Sequence, residues 1–327
     1  MSPSSRSVLG LALSAAALAA LTTAACSHSL RSTLPREPTP QEMAEFWVEP
    51  EDITARDLFD GPGGPALRPR PGSLFRFESK DTRWYSWGWD LEDANGMDWS
   101  AKYGPEARSE VTVSRLVWAI GYHQPATYYV EHWSLTGSKD EDGPKTPCRF
   151  RPDVPGRKNA GYWQWERNPF VGTRPFGGLI ALMRIVNNWD LLDRNNAIYE
   201  FKEPVEGVRR WYVVKDLGAA LGKTSSGPLS GRQGSKNDID GFEKQDFIRA
   251  VKGDRVEFDD SGFRNRHLYR DIKVADVRWV CERLNRLTPA QWKDAFRAAN
   301  YPDDVADRFI RKIKEKVAYG LSLPAGS

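Results

Sequence analysis

A helix with carboxylates on its buried stripe is the feature that most narrows what this chain can fold into. Pro105 stands at a first helical position, Glu106 and Glu110 occupy the opening turns, and Gly121 marks the exit. These residue types favour a helix start and stop. Val113, Leu116, Val117 and Ile120 recur at i, i+3, i+4 and i+7, which places them on one face. Followed towards the N-terminus, the same stripe runs through Glu110 and Glu106. An ionised carboxylate on a core-facing stripe is costly unless a cation meets it there. The fold must therefore bring basic side chains against this helix.

The rest of the chain supplies the frame. Strand-like segments precede the helix at Leu74–Phe77, Trp84–Leu91 and Asp98–Tyr103, the last two separated by the turn Ala94-Asn95-Gly96. Asn-Gly between alternating segments is a strong hairpin signal. Another strand is expected at Thr127–Trp133, and the polar stretch from Thr136 to Gly161 reads as a hinge. Beyond it, Leu179, Leu182, Met183 and Val186 mark a second amphipathic helix, and Ala197–Phe201 with Trp211–Lys215 reads as a hairpin. The Ser/Gly-rich Gly222–Gly241 follows, then helices over Val274–Leu287 and Val305–Leu321, with Thr288-Pro289-Ala290-Gln291 as a capping box between them. A strand-rich first part and a helical second part make an α+β, two-lobed plan. The expected boundaries are residues 51–135 for the first lobe and 136–321 for the second.

Residues 1–26 read as an address. Arg6 precedes an uncharged Ala- and Leu-rich run from Val8 to Ala25, which ends at Cys26. That is the pattern of a secretory signal. Ala24-Ala25-Cys26 resembles a bacterial lipoprotein box, although Thr23 stands where Leu is commoner. The expectation is an exported, periplasmic or cell-envelope protein anchored to the membrane through a lipid on Cys26, with residues 27–50 as a tether. Cys148 and Cys281 then either pair or remain two buried thiols.

Composition excludes several chemistries. With 47 Lys+Arg against 44 Asp+Glu and a net charge of +3, the chain has no bulk basicity for gripping nucleic acid. Three cysteines exclude a disulfide scaffold. The four histidines have no metal-ligand spacing. No Gly-x-Ser-x-Gly elbow is present.

Three features in order point to phosphoryl transfer. Lys102 ends a strand ahead of the acidic helix, Asp190 and Asn195 stand in a D-x-x-x-x-N spacing, and Asp216-Leu217-Gly218 follows the later hairpin. A nucleoside triphosphate needs a cation on its phosphates, which a strand lysine held by a helix glutamate supplies. Mg²⁺ takes oxygen ligands such as Asp and Asn, and a further Asp orients an acceptor hydroxyl. Taken singly each motif is common; their order is what carries meaning. Trp99–Glu110, Val186–Asn196 and Val213–Gly218 resemble an exported bacterial family of kinase-like proteins, distantly similar to HipA-type and secretory-pathway atypical kinases. The likeness extends over roughly residues 55–320. It implies a two-lobed protein-kinase-like fold that uses ATP or another nucleotide with Mg²⁺ or Mn²⁺. Lys102 would hold the phosphates, paired with Glu110 (or Glu106), Asp190 would be the catalytic base, and Asn195 and Asp216 would bind metal. The acceptor would be a protein or small-molecule hydroxyl.

Two departures stand against that pattern. No G-x-G-x-x-G precedes Lys102, since Glu78–Asp90 holds only Gly88, and no His-Arg precedes Asp190. They keep open a catalytically inactive, kinase-shaped envelope protein that acts as a binding module. A site that transfers a nucleotidyl group instead is a third reading.

Overall fold

Alternation organises the first half of the molecule. The computed structural model describes residues 36–81, 87–224, 234–259 and 266–324. After the short helix α1 (Pro40–Ala44) come β1 (Ser73–Asp81), β2 (Gly88–Glu92), β3 (Asp98–Tyr103) and α2 (Glu106–Ala119). Then follow β4 (Tyr128–Val130), β5 (Trp133–Thr136), β6 (Gly143–Lys145) and β7 (Cys148–Pro152). These strands form one seven-stranded sheet in the order β4-β7-β3-β2-β1-β5-β6. β1 and β5 run parallel, while the other pairs are antiparallel. The Asn95-Gly96 turn does join β2 to β3, with Glu92 opposite Asp98.

One face of this sheet is an aromatic core of Phe75, Trp89, Trp99, Tyr128, Trp133 and Phe150. Successive side chains on a strand point to opposite faces. With Trp99 and Ala101 of β3, and Cys148 and Phe150 of β7, committed to that core, Ser100, Lys102, Arg149 and Arg151 fall on the other face. Lys102 stands opposite Arg149 in the β3–β7 register, and Ser100 opposite Arg151. α2 packs against this polar face.

The second half is mostly helical. β8 (Arg157–Asn159) leads to α3 (Arg174–Ile185), then β9 (Asn196–Val205) pairs with both β8 and β10 (Val208–Val214) in a three-stranded sheet of order β10-β9-β8. α4 (Ile239–Glu243), the hairpin β11 (Ile248–Lys252) and β12 (Arg255–Phe258), α5 (Arg266–Tyr269), α6 (Val274–Leu284), α7 (Pro289–Arg297) and α8 (Asp303–Ser322) complete it. The Thr288–Gln291 capping box is present. Gln291 Nε2 also donates to the carbonyls of Ile53 and Arg56, each at 2.8 Å. A second, larger core joins Val113, Leu116 and Val117 of α2 to Leu182 of α3, Val280 of α6 and Phe309 of α8. The expected α+β plan, β-rich first and helical second, is the plan observed.

Several local expectations change. The stretch Thr136–Gly161, read as a hinge, contains three strands, because Cys-Arg-Phe-Arg-Pro alternates apolar and charged residues and Pro144 is tolerated on the sheet's edge strand β6. The strand expected over Thr127–Trp133 is two strands with different partners. The far end of the expected tether is packed: Thr39 caps α1, Phe46 is 1% exposed, and its ring stacks on Phe170 at 4.5 Å. Trp163 and Trp165 are buried core anchors. Cys148 and Cys281 are both free and buried, in different cores. The signal sequence, the Cys26 box and Trp84–Ser86 lie outside the described residues. Among the described residues, no helix is long and apolar enough to cross a membrane.

The docking of the 36–50 segment gives a direct test. Truncating a fully buried Phe costs about 3–5 kcal/mol. Phe46→Ala is therefore expected to lower the unfolding free energy by about that amount in urea titration; a loss under ~1 kcal/mol would mean the segment merely lies on the surface.

Candidate functional site

The carboxylate on the buried stripe has its cations, and they are not the expected one. Glu110 is 5% exposed. Its Oε1 lies 3.1 Å from Arg149 Nε and 2.5 Å from an Nη of Arg151. Burial pushes the Glu110 carboxyl up, but Arg149 and Arg151, helped by Lys102, outweigh it and hold the group below the usual carboxylate range. The close ion pairs of Glu110 are thus with two β7 arginines, while Lys102, its expected partner, lines the same cavity and adds its charge. The reason is register: Arg149 and Arg151 share Lys102's face of the sheet, and two guanidinium forks meet a carboxylate better than one ammonium does. Glu106, the other candidate partner, pairs with Lys236.

Lys102 consequently remains available. Among the described residues its ammonium makes no hydrogen bond or ion pair. It lines a small cavity of about 30 Å³ together with Glu106, Glu110, Arg149, Arg151, Lys215 and Asp216. The lysine that ends β3 and the aspartate that follows β10 therefore face one space.

Asp190 and Asn195 are tied to this cavity through hydrogen bonds. Asn195 Nδ2 donates to the Asp190 carbonyl at 2.6 Å and to Asp190 Oδ2 at 3.2 Å. The Asn195 carbonyl accepts from the backbone N–H groups of both Lys215 and Asp216, each at 2.9 Å. So the 190–195 loop and the strand-terminal aspartate are held together by one asparagine. The five residues singled out from sequence are brought to one region, with Lys102, Glu110 and Asp216 lining the cavity and Asp190 and Asn195 beside it.

The Asp-Leu-Gly segment fits against α2 for a steric reason. A Cβ added to Gly218 would stand 2.6 Å from Glu106 Cβ, so any larger residue would push this loop off the helix. Ser109 Oγ donates to the Gly218 carbonyl at 2.7 Å. Gly218 N–H donates in turn to Asp216 Oδ1 at 3.2 Å. Burial, then the nearby Glu110 and Glu106 charges, raise the Asp216 pKa to about 6.

Behind the site, Asn187 adopts φ +53° at the start of the 187–195 loop. Lys316 of α8, itself 3% exposed, donates to Asn187 Oδ1 at 2.8 Å and to the Ile185 carbonyl at 3.1 Å. Asn187 Nδ2 donates to the Gly222 carbonyl at 2.7 Å. This network anchors the loop from the helical side.

Sequence reasoning missed Arg149, Arg151, Lys215 and Ser109. Arg149 and Arg151 were legible in principle, since charged residues alternating with Cys148 and Phe150 mark a strand with one polar face. Lys215 and Ser109 carry no such local signal.

A divalent cation fits the donor set here. Asp216 is a carboxylate crowded by two other acids, and the Asn195 amide engages Asp190 through its nitrogen, not its oxygen. Among the described residues no group of three or more His, Cys, Asp or Glu side chains could hold a metal ion. The described residues thus offer no three-ligand His, Cys, Asp or Glu cage there. Mg²⁺ does not need one, because it keeps waters and takes substrate phosphates as ligands.

A larger cleft of about 700 Å³ adjoins the cavity. Its lining includes Asp90 and Ser100 from the sheet, Asp153 from the crossover, and Tyr199 of β9. Arg151 and Lys215 line both spaces.

No protein-family model matches the chain, and no curated protein matches it. Among solved structures, the crystal structure of a Helicobacter pylori proinflammatory kinase, CtkA, is similar with a TM-score of 0.46 and 10% sequence identity, over 77% of this chain and 98% of that chain. At that level the likeness transfers no activity.

The two acids should respond oppositely to neutralisation. Glu110→Gln leaves two buried arginines without a counter-charge and is expected to cost about 3–5 kcal/mol. Asp216 has its folded pKa raised, so its ionisation opposes folding: the penalty is absent below the unfolded pKa of 3.8, grows to about pH 6 and is then constant. Asp216→Asn, in chelator, is expected to be more stable than wild type by roughly 1–3 kcal/mol at pH 7. The gap should close as pH falls towards 4. Chemical denaturation at several pH values reads both, and an Asp216→Asn protein less stable than wild type at pH 7 would contradict the site's electrostatics.

Proposed function

We propose that this protein is an atypical, kinase-like phosphotransferase that moves the terminal phosphoryl group of ATP or a related nucleotide to a hydroxyl on a protein or small molecule. The observation that carries the reading is the convergence of Lys102 and Asp216 on one cavity, with Asn195 bonding both the Asp190 side chain and the backbone of Asp216. Residues scattered from the first sheet to the end of β10 meet where a metal-bound polyphosphate needs a cation, oxygen ligands and a nearby base.

In this reading the nucleotide occupies the large cleft and extends its phosphates towards the small cavity. Lys102 meets the phosphate oxygens, which gives a close partner to an ammonium that makes no ion pair or hydrogen bond among the described residues. Asp216 and the Asn195 amide oxygen would hold Mg²⁺ or Mn²⁺, which when bound neutralises charge developing on the phosphate oxygens. Asp190 takes the proton from the acceptor hydroxyl as its oxygen bonds to the terminal phosphorus. The bond from that phosphorus to the bridging oxygen breaks, and the nucleoside diphosphate leaves. Glu110 supports the site by fixing Arg149 and Arg151.

The sequence departures support a second reading, a binding module of the same shape without catalysis. Only Gly88 is available in Glu78–Asp90 to cover the phosphates, and exported compartments hold little ATP. For the address itself we propose cleavage before Cys26, a lipid on that residue and an envelope location, on the strength of the 1–26 pattern alone. Incorporation of labelled fatty acid into wild type but not Cys26→Ser tests it.

Phosphate transfer by residues 27–327, assayed with labelled ATP and Mg²⁺ or Mn²⁺, tests the enzymatic reading. Asp190→Ala and Asp216→Ala are expected to lower transfer by at least about a hundredfold, in line with general-base contributions, while keeping cooperative unfolding. Nucleotide and metal that produce neither stabilisation nor transfer in the wild type would leave the binding module. Equal turnover by all three proteins would contradict the residue roles.

A further inference from the structure

Lys215 stands at the boundary between the two spaces and belongs to none of the roles above. It follows β10 directly, and it lines both the 30 Å³ cavity and the 700 Å³ cleft, a property it shares only with Arg151 among the lining residues of these two. The two boundary cations differ in commitment. Arg151 is held by Glu110 at 2.5 Å, and an Nη donates to the Lys215 carbonyl at 3.0 Å. Lys215 makes no side-chain hydrogen bond or ion pair among the described residues. Its backbone is fixed, because its N–H donates to the Asn195 carbonyl.

An ammonium partly removed from water beside Arg151 and Lys102, with Asp216 and Glu110 near but no ion pair of its own among the described residues, is poorly compensated in the ligand-free protein. The charge count shows what would relieve it. Glu110 is shared by Arg149 and Arg151, and Glu106 is taken by Lys236. Lys102 and Lys215 therefore face the cavity with Asp216 as the remaining acid. An anion lying across the boundary would meet both lysines at once.

We propose that Lys215 is a second phosphate-binding cation and selects ligands by the length of their phosphate chain. The inference rests on the phosphotransferase reading, with the nucleoside in the large cleft. A monophosphate seated there reaches the boundary at most. A di- or triphosphate passes between Arg151 and Lys215 towards Lys102 and Asp216. Lys215 thus favours polyphosphate ligands, and its contribution grows with each phosphate that crosses.

Calorimetric titration of the wild type, Lys215→Met and Lys215→Arg with the Mg²⁺ complexes of AMP, ADP and ATP tests this, with urea unfolding as the control for folding. In the wild type, affinity should rise from AMP to ATP. Lys215→Met should weaken ATP by about tenfold or more, leave AMP within about twofold, and unfold at the same or higher urea, since it removes an uncompensated charge. Lys215→Arg should restore most of the ATP affinity. Should Lys215→Met be poorly folded, Lys215→Gln takes its place in the same comparison. A variant that keeps the wild-type ATP-to-AMP ratio overturns the role of Lys215 while leaving the phosphotransferase reading intact. A wild type that binds none of the three overturns both.

Discussion

The ion triad of Glu110 with Arg149 and Arg151 is the interaction on which the rest of the site depends. It ties α2 to β7 across the polar face of the sheet, and it is buried. Burying three charges is favourable only when they meet each other closely, and removing one partner is far worse than never having had the set. The triad therefore specifies one seating of the helix against the sheet. With α2 seated, Ser109 meets the Gly218 carbonyl and Glu106 meets Lys236. The loop after β10 is then held from the sheet side as firmly as Asn195 holds it from the helical side.

A second consequence concerns charge. Because the close ion pairs of Glu110 go to the two arginines, Lys102 near the end of β3 makes no ion pair among the described residues and can meet a ligand. The arrangement differs from a lysine held by a helix glutamate, yet the same cluster presents an ammonium without an ion pair among the described residues opposite a crowded carboxylate. The Asp216 carboxyl, pushed up by burial and by Glu110 and Glu106, is the mirror of this state: an acid with too few cations facing cations with too few acids. The metal-bound polyphosphate proposed above would relieve both.

Much of this was legible in the sequence. The stripe from Val113 through Glu110 required buried cations, and the structure contains them. The Asn95-Gly96 hairpin, the Thr288–Gln291 box and the α+β order follow from local chemistry that tertiary packing did not override. What is not legible has separate physical causes. Thr136–Gly161 looked like a hinge because Gly and Pro dominated the reading, although the alternation of Cys148, Phe150 and Arg149, Arg151 was present within it. The partner of Glu110 was missed with that strand, since pairing depends on which strand lies beside β3, and a sequence does not state strand order. Phe46 falls in the expected tether because a single aromatic among polar residues has no periodicity. Lys215 had no signature at all, for its position between two cavities arises only from the assembled sheet and loop.

The account's central claim is that Lys102 and Asp216 face one metal-bound polyphosphate. Crystals grown with Mn²⁺ and a non-hydrolysable ATP analogue test it most directly, through anomalous scattering from the metal. The expected result is a Mn²⁺ peak about 2.1 Å from an Asp216 carboxylate oxygen, with phosphate oxygens on Lys102. A nucleotide ordered elsewhere, or bound in the cleft with the metal away from Asp216, would contradict it.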